Sequence, residues 1–229
     1  MITTLSFDGD GTLWDFDRAM RRALGLTLAE LRRWEPDARV SQLDVDAMVA
    51  IRNATATELQ GKETNLERIR LHAFRRTLAP CGIVDEALAC HLNAFYLQHR
   101  FSGIELYPDV ILTLDRLKTR FIIGLLSNGN SYPDRCGLAD FFRFVVFSQD
   151  YGIAKPDPGI FEIVMAQAAC SAGELLHIGD SLECDVAGAH NAGARSVWLN
   201  RGRVPNATGI TPNDEITSLS ELIPLCERL

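Results

Sequence analysis

The distribution of short apolar segments along the chain restricts the fold more than any other feature of the sequence. Five segments rich in β-branched, aromatic and aliphatic residues are typical of buried strands: Ile2–Phe7, Phe121–Leu126, Phe144–Ser148, Leu175–Ile178 and Ser196–Leu199. The last four are separated by stretches with helical character: Val110–Lys118, Gly159–Ala169 and Asp185–Asn191. This alternation predicts an α/β fold with a five-stranded parallel sheet covered by helices.

A long region without a convincing strand follows the first strand. Apolar residues recur there at helical spacing, in Val45, Met48 and Val49, in Leu66, Ile69, Ala73 and Phe74, and within Asp85–Gln98. Thr27 and Glu30 form a capping-box pattern, which predicts that a helix begins at Thr27. We predict an all-helical domain over residues 17–100, inserted into a core made of residues 1–16 and 101–229.

Composition and charge restrict the class of partner. The chain has 229 residues, 47% of them hydrophobic, and a formal net charge of −7, which disfavours general attraction to nucleic acid or an anionic membrane. The six cysteines form no CxxC pair, so neither a zinc site nor disulfides are expected. The sequence shows no membrane-spanning run and no leader pattern. We therefore expect a cytoplasmic protein that binds a small molecule, while its oligomeric state stays open.

Two carboxylates directly follow the first predicted strand. Asp8 and Asp10 alternate with glycines, which let the backbone turn tightly and approach a ligand. Like charges this close repel each other unless a cation lies between them or one is protonated. The pair indicates a hard-cation site with one acid available for nucleophilic or proton-transfer chemistry. A solvated Asp/Gly turn is the plain structural alternative.

Polar residues also follow the later strands. Ser127 and Asn128 follow one predicted strand, and Asp180 and Asp185 follow another. Lys155 precedes two prolines that rigidify a loop. Each has an ordinary alternative, such as a surface lysine or, for Asp185, an acid that suits a helix dipole. Ligands of parallel sheets collect at the carboxyl ends of the strands, so we expect these side chains to converge there.

The order of these segments resembles the four motifs of the haloacid dehalogenase (HAD) superfamily, whose members are mostly phosphatases. The resemblance covers essentially the whole chain and rests on Asp8 with Asp10, on Ser127, on Lys155, and on Asp180 with Asp185. It implies a Rossmann-like core. The helical insertion between the first and second motifs is similar in placement to the C1-type cap of the family, a lid over the active site.

The resemblance also implies catalytic roles. Asp8 would attack phosphorus and form an aspartyl phosphate, and Asp10 would protonate the leaving oxygen and then activate water. Ser127 would hold a phosphoryl oxygen, and Lys155 would offset negative charge. Asn128, beside Ser127, is a candidate contact to the phosphate or the leaving group.

A magnesium ion is the cofactor that the resemblance implies. Its ligands would be a carboxylate oxygen of Asp8, the backbone carbonyl of Asp10, and Asp180, with Asp185 supporting it directly or through water. In the insertion, Arg18 is a candidate contact to an anionic substrate, although an exposed basic helix face is the more common explanation for a single arginine of this kind. Trp14 is interpreted as a packing residue of a hinge or lid.

The residue at position 10 separates branches of the superfamily. The dehalogenases resemble Asp-x-Tyr at the first motif, whereas this chain has Asp10, which favours phosphoryl transfer. We predict a magnesium-dependent phosphoric monoester hydrolase that acts on a small phosphorylated metabolite, such as a sugar phosphate, a phosphoglycolate-like acid or a nucleotide. The alternatives are a phosphomutase acting on a sugar phosphate, a phosphoacceptor signalling module, and a catalytically silent protein that binds a phosphorylated ligand.

Overall fold

The computed structural model describes residues 1–228, which form two compact units. The sheet unit comprises Met1–Asp15 together with the described residues from Glu105 onward. The helical unit comprises Phe16–Ile104. The chain therefore leaves the sheet unit directly after the first predicted motif and returns to it ahead of the second predicted strand.

Five helices of the helical unit bury one shared apolar core. They are α1 (Phe16–Trp34), α2 (Ala38–Ser41), α3 (Val45–Leu59), α4 (Leu66–Leu78) and α5 (Glu86–Ser102). Four of them begin at side chains that cap the free backbone N–H groups of the first turn: Asp37 for α2, Asp44 for α3, Asn65 for α4 and Asp85 for α5. Buried side chains of the core include Leu24, Leu31, Phe74, Leu92 and Tyr96.

The predicted helix start at Thr27 is wrong. Thr27 is buried in the interior of α1, and its hydroxyl donates to the carbonyl oxygen of Ala23 at 2.8 Å. Threonine satisfies its hydroxyl this way within a helix, whereas a capping residue accepts from the backbone. Glu30 instead accepts a hydrogen bond from Nε1 of Trp34 at 2.9 Å. The apolar stripe of α1 continues through Thr27, so the capping pattern marks no boundary.

The sheet is parallel throughout and has six strands within the described residues. They are β1 (Thr4–Phe7), β2 (Ile122–Ser127), β3 (Phe144–Phe147), β4 (Leu175–Gly179), β5 (Arg195–Leu199) and β6 (Asp214–Ile216). Their order is β3-β2-β1-β4-β5-β6, which confirms the predicted parallel α/β fold. The strand order reverses at β1, and such a reversal opens a crevice at the carboxyl ends of β1 and its neighbours.

The prediction of five strands omitted β6. This strand has only three residues, and two of them, Asp214 and Glu215, belong to residue types that are depleted in strands. It pairs with β5 at the edge of the sheet and buries Ile216. A segment this short carries no periodicity, so only its pairing with β5 reveals it.

The sequence alternation predicts three helices of the sheet unit, and the structure contains them as α6 (Val110–Leu117), α8 (Pro158–Ala168) and α9 (Ala187–Asn191). The described residues of this unit also form α7 (Ser148–Tyr151) and α10 (Leu222–Glu227), which the alternation does not predict. Asp157 caps α8 by accepting from the backbone N–H of Gly159 at 2.8 Å. Pro158 occupies the first turn of α8, where its missing N–H costs nothing. Among the described residues, no helix combines the length and the apolar character needed to cross a bilayer.

We expect Gly124→Ala to destabilise the fold. Gly124 lies in β2 opposite Phe144 of β3, and a Cβ at this position would overlap the Phe144 ring. Overpacking of this kind costs about 1–3 kcal/mol, which urea-induced unfolding would measure. Gly173→Ala is the matched control, because a Cβ there meets no neighbouring atom. Equal free energies of unfolding for the two variants would contradict this account of the β2–β3 contact.

Candidate active site

Acidic and basic side chains from separate segments meet at the carboxyl edge of the sheet. Asp8 directly follows β1, Asp180 follows β4, and Asp185 lies in a π-helical turn, Leu182–Val186. Lys155 comes from the loop between α7 and α8. Ser127 is the last residue of β2, and it is buried.

The ammonium group of Lys155 bridges two carboxylates. Its Nζ lies 2.7 Å from Oδ1 of Asp8 and 2.6 Å from Oδ1 of Asp185. It also donates to the carbonyl oxygen of Leu126 at 3.0 Å. An ammonium group has three donors, so all of them have an acceptor. The exposed fractions of the three charged side chains are 1% for Lys155, 9% for Asp8 and 2% for Asp185, so the pairing takes place out of solvent.

The burial of these charges shifts their pKa values. Burial alone would lower the pKa of Lys155, but Asp185 and Asp8 raise it above its ordinary value. Burial would raise the pKa of Asp185, but Lys155 and His177 hold it below its ordinary value. For Asp8 burial dominates and raises the pKa, with Asp185 and Asp180 adding to the effect against the attraction of Lys155. One ammonium group therefore does not balance the negative charge gathered here.

The carboxylates fit a hard divalent cation. Asp8, Asp180 and Asp185 each place a carboxylate oxygen within 4.8 Å of the others, and such oxygens are the ligands that Mg²⁺ and Ca²⁺ prefer. The glycine at position 11 lets the carboxylate of Asp180 lie close to the backbone of the turn after β1. Gly11 has a φ of +85°, and a Cβ there would collide with the carboxylate of Asp180. The excess negative charge and the closeness of the three carboxylates both suit a bound cation.

Asp10 has a different environment from these carboxylates. Its Oδ1 accepts two hydrogen bonds, from Nε1 of Trp14 at 2.6 Å and from the hydroxyl of Ser131 at 3.1 Å. Its Oδ2 lies against Gly129, where a Cβ would collide with it. The carboxylate is therefore held in one orientation by two buried donors.

The contacts of Trp14 and Ser131 with Asp10 are not predicted from the sequence. The predicted role of Trp14 is packing in a hinge or lid, and the structure shows it fully buried within the sheet unit. Its position four residues after Asp10 is the available signal, because the intervening Gly11 permits a reverse turn that brings the indole back toward Asp10. Ser131 carries no sequence signal of its own, since only the loop after β2 brings it to Asp10.

The side chain of Asn128 forms hydrogen bonds with the backbone of Lys155. Its Oδ1 accepts from the N–H of Lys155 at 2.9 Å, and its Nδ2 donates to the carbonyl oxygen of Lys155 at 3.0 Å. The hydroxyl of Ser148 also donates to Oδ1, at 2.5 Å. These contacts fix the backbone from which the Lys155 side chain projects. The predicted contact of Asn128 with a substrate stays a prediction.

Comparison with known proteins identifies the family. The family model of haloacid dehalogenase-like hydrolases matches residues 2–193. The chain belongs to the haloacid dehalogenase-like hydrolases. This result confirms the family predicted from the four segments at the strand ends.

Relatives of this hydrolase differ in the reaction that their names describe. YigB of Escherichia coli (strain K12), a 5-amino-6-(5-phospho-D-ribitylamino)uracil phosphatase, is 25% identical over 98% of this chain and 96% of its own. The crystal structure of a 2-haloacid dehalogenase from Pseudomonas syringae pv. Tomato DC3000 superposes with a TM-score of 0.81, with 30% identity over 100% of this chain and 99% of the other. YfnB from Bacillus subtilis bound to magnesium gives a TM-score of 0.78, with 28% identity over 98% of both chains.

A buried histidine of this hydrolase forms a hydrogen bond with Asp185. His177 Nε2 lies 3.0 Å from Oδ1 of Asp185, and its Nδ1 lies 2.7 Å from the hydroxyl of Ser6. Burial lowers the pKa of His177, so the neutral ring donates to Asp185 through Nε2 and accepts from Ser6. Neither His177 nor Ser6 has a role predicted from the sequence. The β1–β4 register pairs Ser6 with His177, and this pairing is seen only in the tertiary structure.

Arg18, the predicted contact to an anionic substrate, lies on α1 of the helical unit and is exposed. It therefore belongs to a different unit from the residues gathered at the sheet edge. Its role stays a prediction, as does the ligation of a metal by the backbone carbonyl of Asp10.

We expect Asp180→Asn to stabilise the metal-free protein near neutral pH. Desolvation and the charge of Asp185 raise the pKa of Asp180 from 3.8 to about 6. A raised folded-state pKa means that stability present below the unfolded pKa is lost as pH rises through the folded one. In EDTA, the thermal unfolding midpoint of the variant should exceed that of the wild type at about pH 7.5 and approach it near pH 4.

Magnesium should reverse this ranking. A cation that binds the folded state stabilises it by mass action, so added Mg²⁺ should raise the midpoint of the wild type and leave Asp180→Asn nearly unchanged. Asp115→Asn is the control, since this acid pairs with Lys118 on the exposed surface of α6. The cation site would be contradicted if magnesium left the wild-type midpoint unchanged and if Asp180→Asn had the same midpoint as the wild type.

Proposed function

We propose that this hydrolase is a phosphatase that cleaves a small phosphorylated metabolite through a phosphoenzyme on Asp8. The observation that carries the proposal is the pair of carboxylates after β1: Asp8 contacts the buried ammonium of Lys155, and Asp10 is held separately by Trp14 and Ser131. The different surroundings of the two acids support one as the nucleophile and the other as the group that transfers the proton. The phosphatase activity in the name of YigB supports the same reaction class.

In the proposed first step, an oxygen of Asp8 attacks phosphorus and the bond from phosphorus to the leaving oxygen breaks. The proton for the leaving oxygen comes from Asp10. Ser127 holds a phosphoryl oxygen, and the ammonium of Lys155 offsets the negative charge on Asp8 and on the transferring group. The products of this step are an alcohol and an aspartyl phosphate.

In the second step, water attacks the phosphorus of the aspartyl phosphate. Asp10, now ionised, takes a proton from that water as the new oxygen–phosphorus bond forms. The bond between phosphorus and the Asp8 oxygen breaks, which regenerates the Asp8 carboxylate and releases inorganic phosphate. Asp10 ends the cycle protonated, ready to donate again.

Magnesium is the proposed cofactor, and Asp8, Asp180 and Asp185 are the side chains that would hold it. When bound, it would supply positive charge that lets an anionic nucleophile approach an anionic phosphoryl group. The backbone carbonyl of Asp10 completes the proposed ligand set. The magnesium-bound structure of YfnB supports this assignment.

The two units take distinct proposed roles. We assign catalysis to the sheet unit, which contains the carboxylates and Lys155, and the role of a C1-type cap to the helical unit. The insertion point directly after the catalytic motif supports this division, because a lid must connect close to the site that it covers. Arg18 of α1 is the proposed contact between the cap and the substrate.

The chemistry of the leaving group separates a phosphatase from a dehalogenase. A halide leaves as a stable anion and needs no proton, whereas an alkoxide needs one from a general acid. The orientation of Asp10 by two buried donors therefore favours an ester substrate. The similarity to a 2-haloacid dehalogenase makes haloacid cleavage the activity to compare directly.

Phosphate release from a panel of phosphorylated metabolites tests the proposal. Sugar phosphates, phosphoglycolate-like acids and nucleoside monophosphates are assayed with magnesium and with EDTA, alongside halide release from 2-haloacids. We expect magnesium-dependent phosphate release from at least one class. Asp8→Asn should lower that rate by at least about 10³-fold, because it removes the nucleophile.

Asp115→Asn serves as the matched control, since it makes the same chemical change on the exposed surface of α6. Halide release without phosphate release would overturn the proposal in favour of a dehalogenase. Transfer of phosphate to a second hydroxyl of a sugar would identify a mutase. A folded, magnesium-binding protein without turnover on any substrate would indicate a silent binding protein.

A further inference from the structure

We infer that Trp14 and Ser131 are positioning residues that orient Asp10 so that Oδ2 is the oxygen that exchanges the proton with substrate and water. The inference rests on the proposed phosphatase function and deepens it. It assigns a task to two side chains that neither the four motifs nor the family relationship distinguishes.

The contacts that carry the inference lie within the sheet unit. The indole N–H of Trp14 donates to Oδ1 of Asp10 at 2.6 Å, and the hydroxyl of Ser131 donates to the same oxygen at 3.1 Å. Both donors are fully buried, with 0% exposure for each residue. Hydrogen bonds from buried donors to a carboxylate are stronger than those between neutral groups, so this pair fixes the orientation of the carboxylate.

The two oxygens of Asp10 are consequently not equivalent. A carboxylate oxygen has two lone-pair sites, and the two donors occupy both sites on Oδ1. Oδ2 faces Gly129, where a Cβ would collide with it and would crowd the hydroxyl oxygen of Ser127. Oδ2 therefore lies on the side of the proposed phosphate-binding serine, while Oδ1 is turned into the protein.

The placement of Trp14 is determined by more than its contact with Asp10. The indole packs so closely on Gly9 that a Cβ there would overlap the ring. The carbonyl oxygen of Trp14 accepts from the N–H of Gly11 at 2.9 Å, which closes the turn. A side chain held in this way positions its hydrogen-bond partner without rearranging during the reaction.

The expected effect depends on the leaving group. Phosphoenzyme formation from an alkyl phosphate requires Oδ2–H of Asp10 to protonate the alkoxide as its bond to phosphorus breaks. An aryl phosphate such as p-nitrophenyl phosphate releases a stable anion and needs little protonation. A mispositioned Asp10 should therefore slow attack on the alkyl phosphate and leave attack on the aryl phosphate nearly intact.

The experiment compares kcat/KM for both types of substrate in Trp14→Phe and Ser131→Ala. This parameter reports only the steps through phosphoenzyme formation, in which Asp10 acts as an acid. The alkyl phosphate is one that the wild type hydrolyses. We expect each variant to lose about 10- to 100-fold on the alkyl phosphate and less than about threefold on the aryl phosphate. Trp34→Phe is the control, because Trp34 is 60% exposed and belongs to the helical unit.

Equal losses on both substrates would overturn the inference, because a purely structural defect lowers both rates together. Unchanged rates on both substrates would also overturn it. Circular dichroism and the thermal midpoint verify that each variant is folded. If Trp14→Phe does not fold, the smaller change in Ser131→Ala decides the outcome. An absence of phosphate release by the wild type would overturn the proposed function together with this inference. If the wild type is active and the variants lose the same factor on both substrates, only the inference is overturned.

Discussion

The buried ammonium group of Lys155 holds the candidate site together, because it contacts carboxylates from two different segments. Asp8 follows β1 and Asp185 lies beyond β4, so the lysine bridges elements on both sides of the crevice. Removing one partner from a buried pair of this kind costs about 3–5 kcal/mol, because the remaining charge is left without compensation. Asn128 fixes the loop that carries Lys155, and His177 supports Asp185, so both ends of the bridge are anchored.

The same buried charges also give the site an excess of negative charge and a shifted pKa at Asp8. Burial raises the pKa of Asp8, and the nearby carboxylates exceed the single ammonium in charge. Such an arrangement is typical of functional sites, and the proposed cation would offset the excess negative charge of the carboxylates. Glycines at positions 9, 11 and 129 serve this arrangement, since a Cβ at any of them would strike a side chain of the site.

Much of the fold and part of the site follow from sequence patterns. The alternation of apolar strands with helical segments predicted a parallel sheet, and the acids at strand ends predicted a cluster at its carboxyl edge. The errors have local causes. β6 is too short and too acidic to show a strand pattern, and Thr27 matches a capping pattern while lying inside α1. In both places tertiary pairing or packing overrides a weak local preference.

The sequence by itself determined the family, the strand-helix alternation and the identity of the acids and the lysine, because these depend on residue type and order. Only the tertiary structure decided that Ser131 and Trp14 share one oxygen of Asp10 and that Ser6 and His177 lie behind Asp185. Ser131 is separated from Asp10 by 121 positions, and Ser6 from His177 by 171. Contacts across such distances depend on strand register and loop geometry, which no short stretch of sequence specifies.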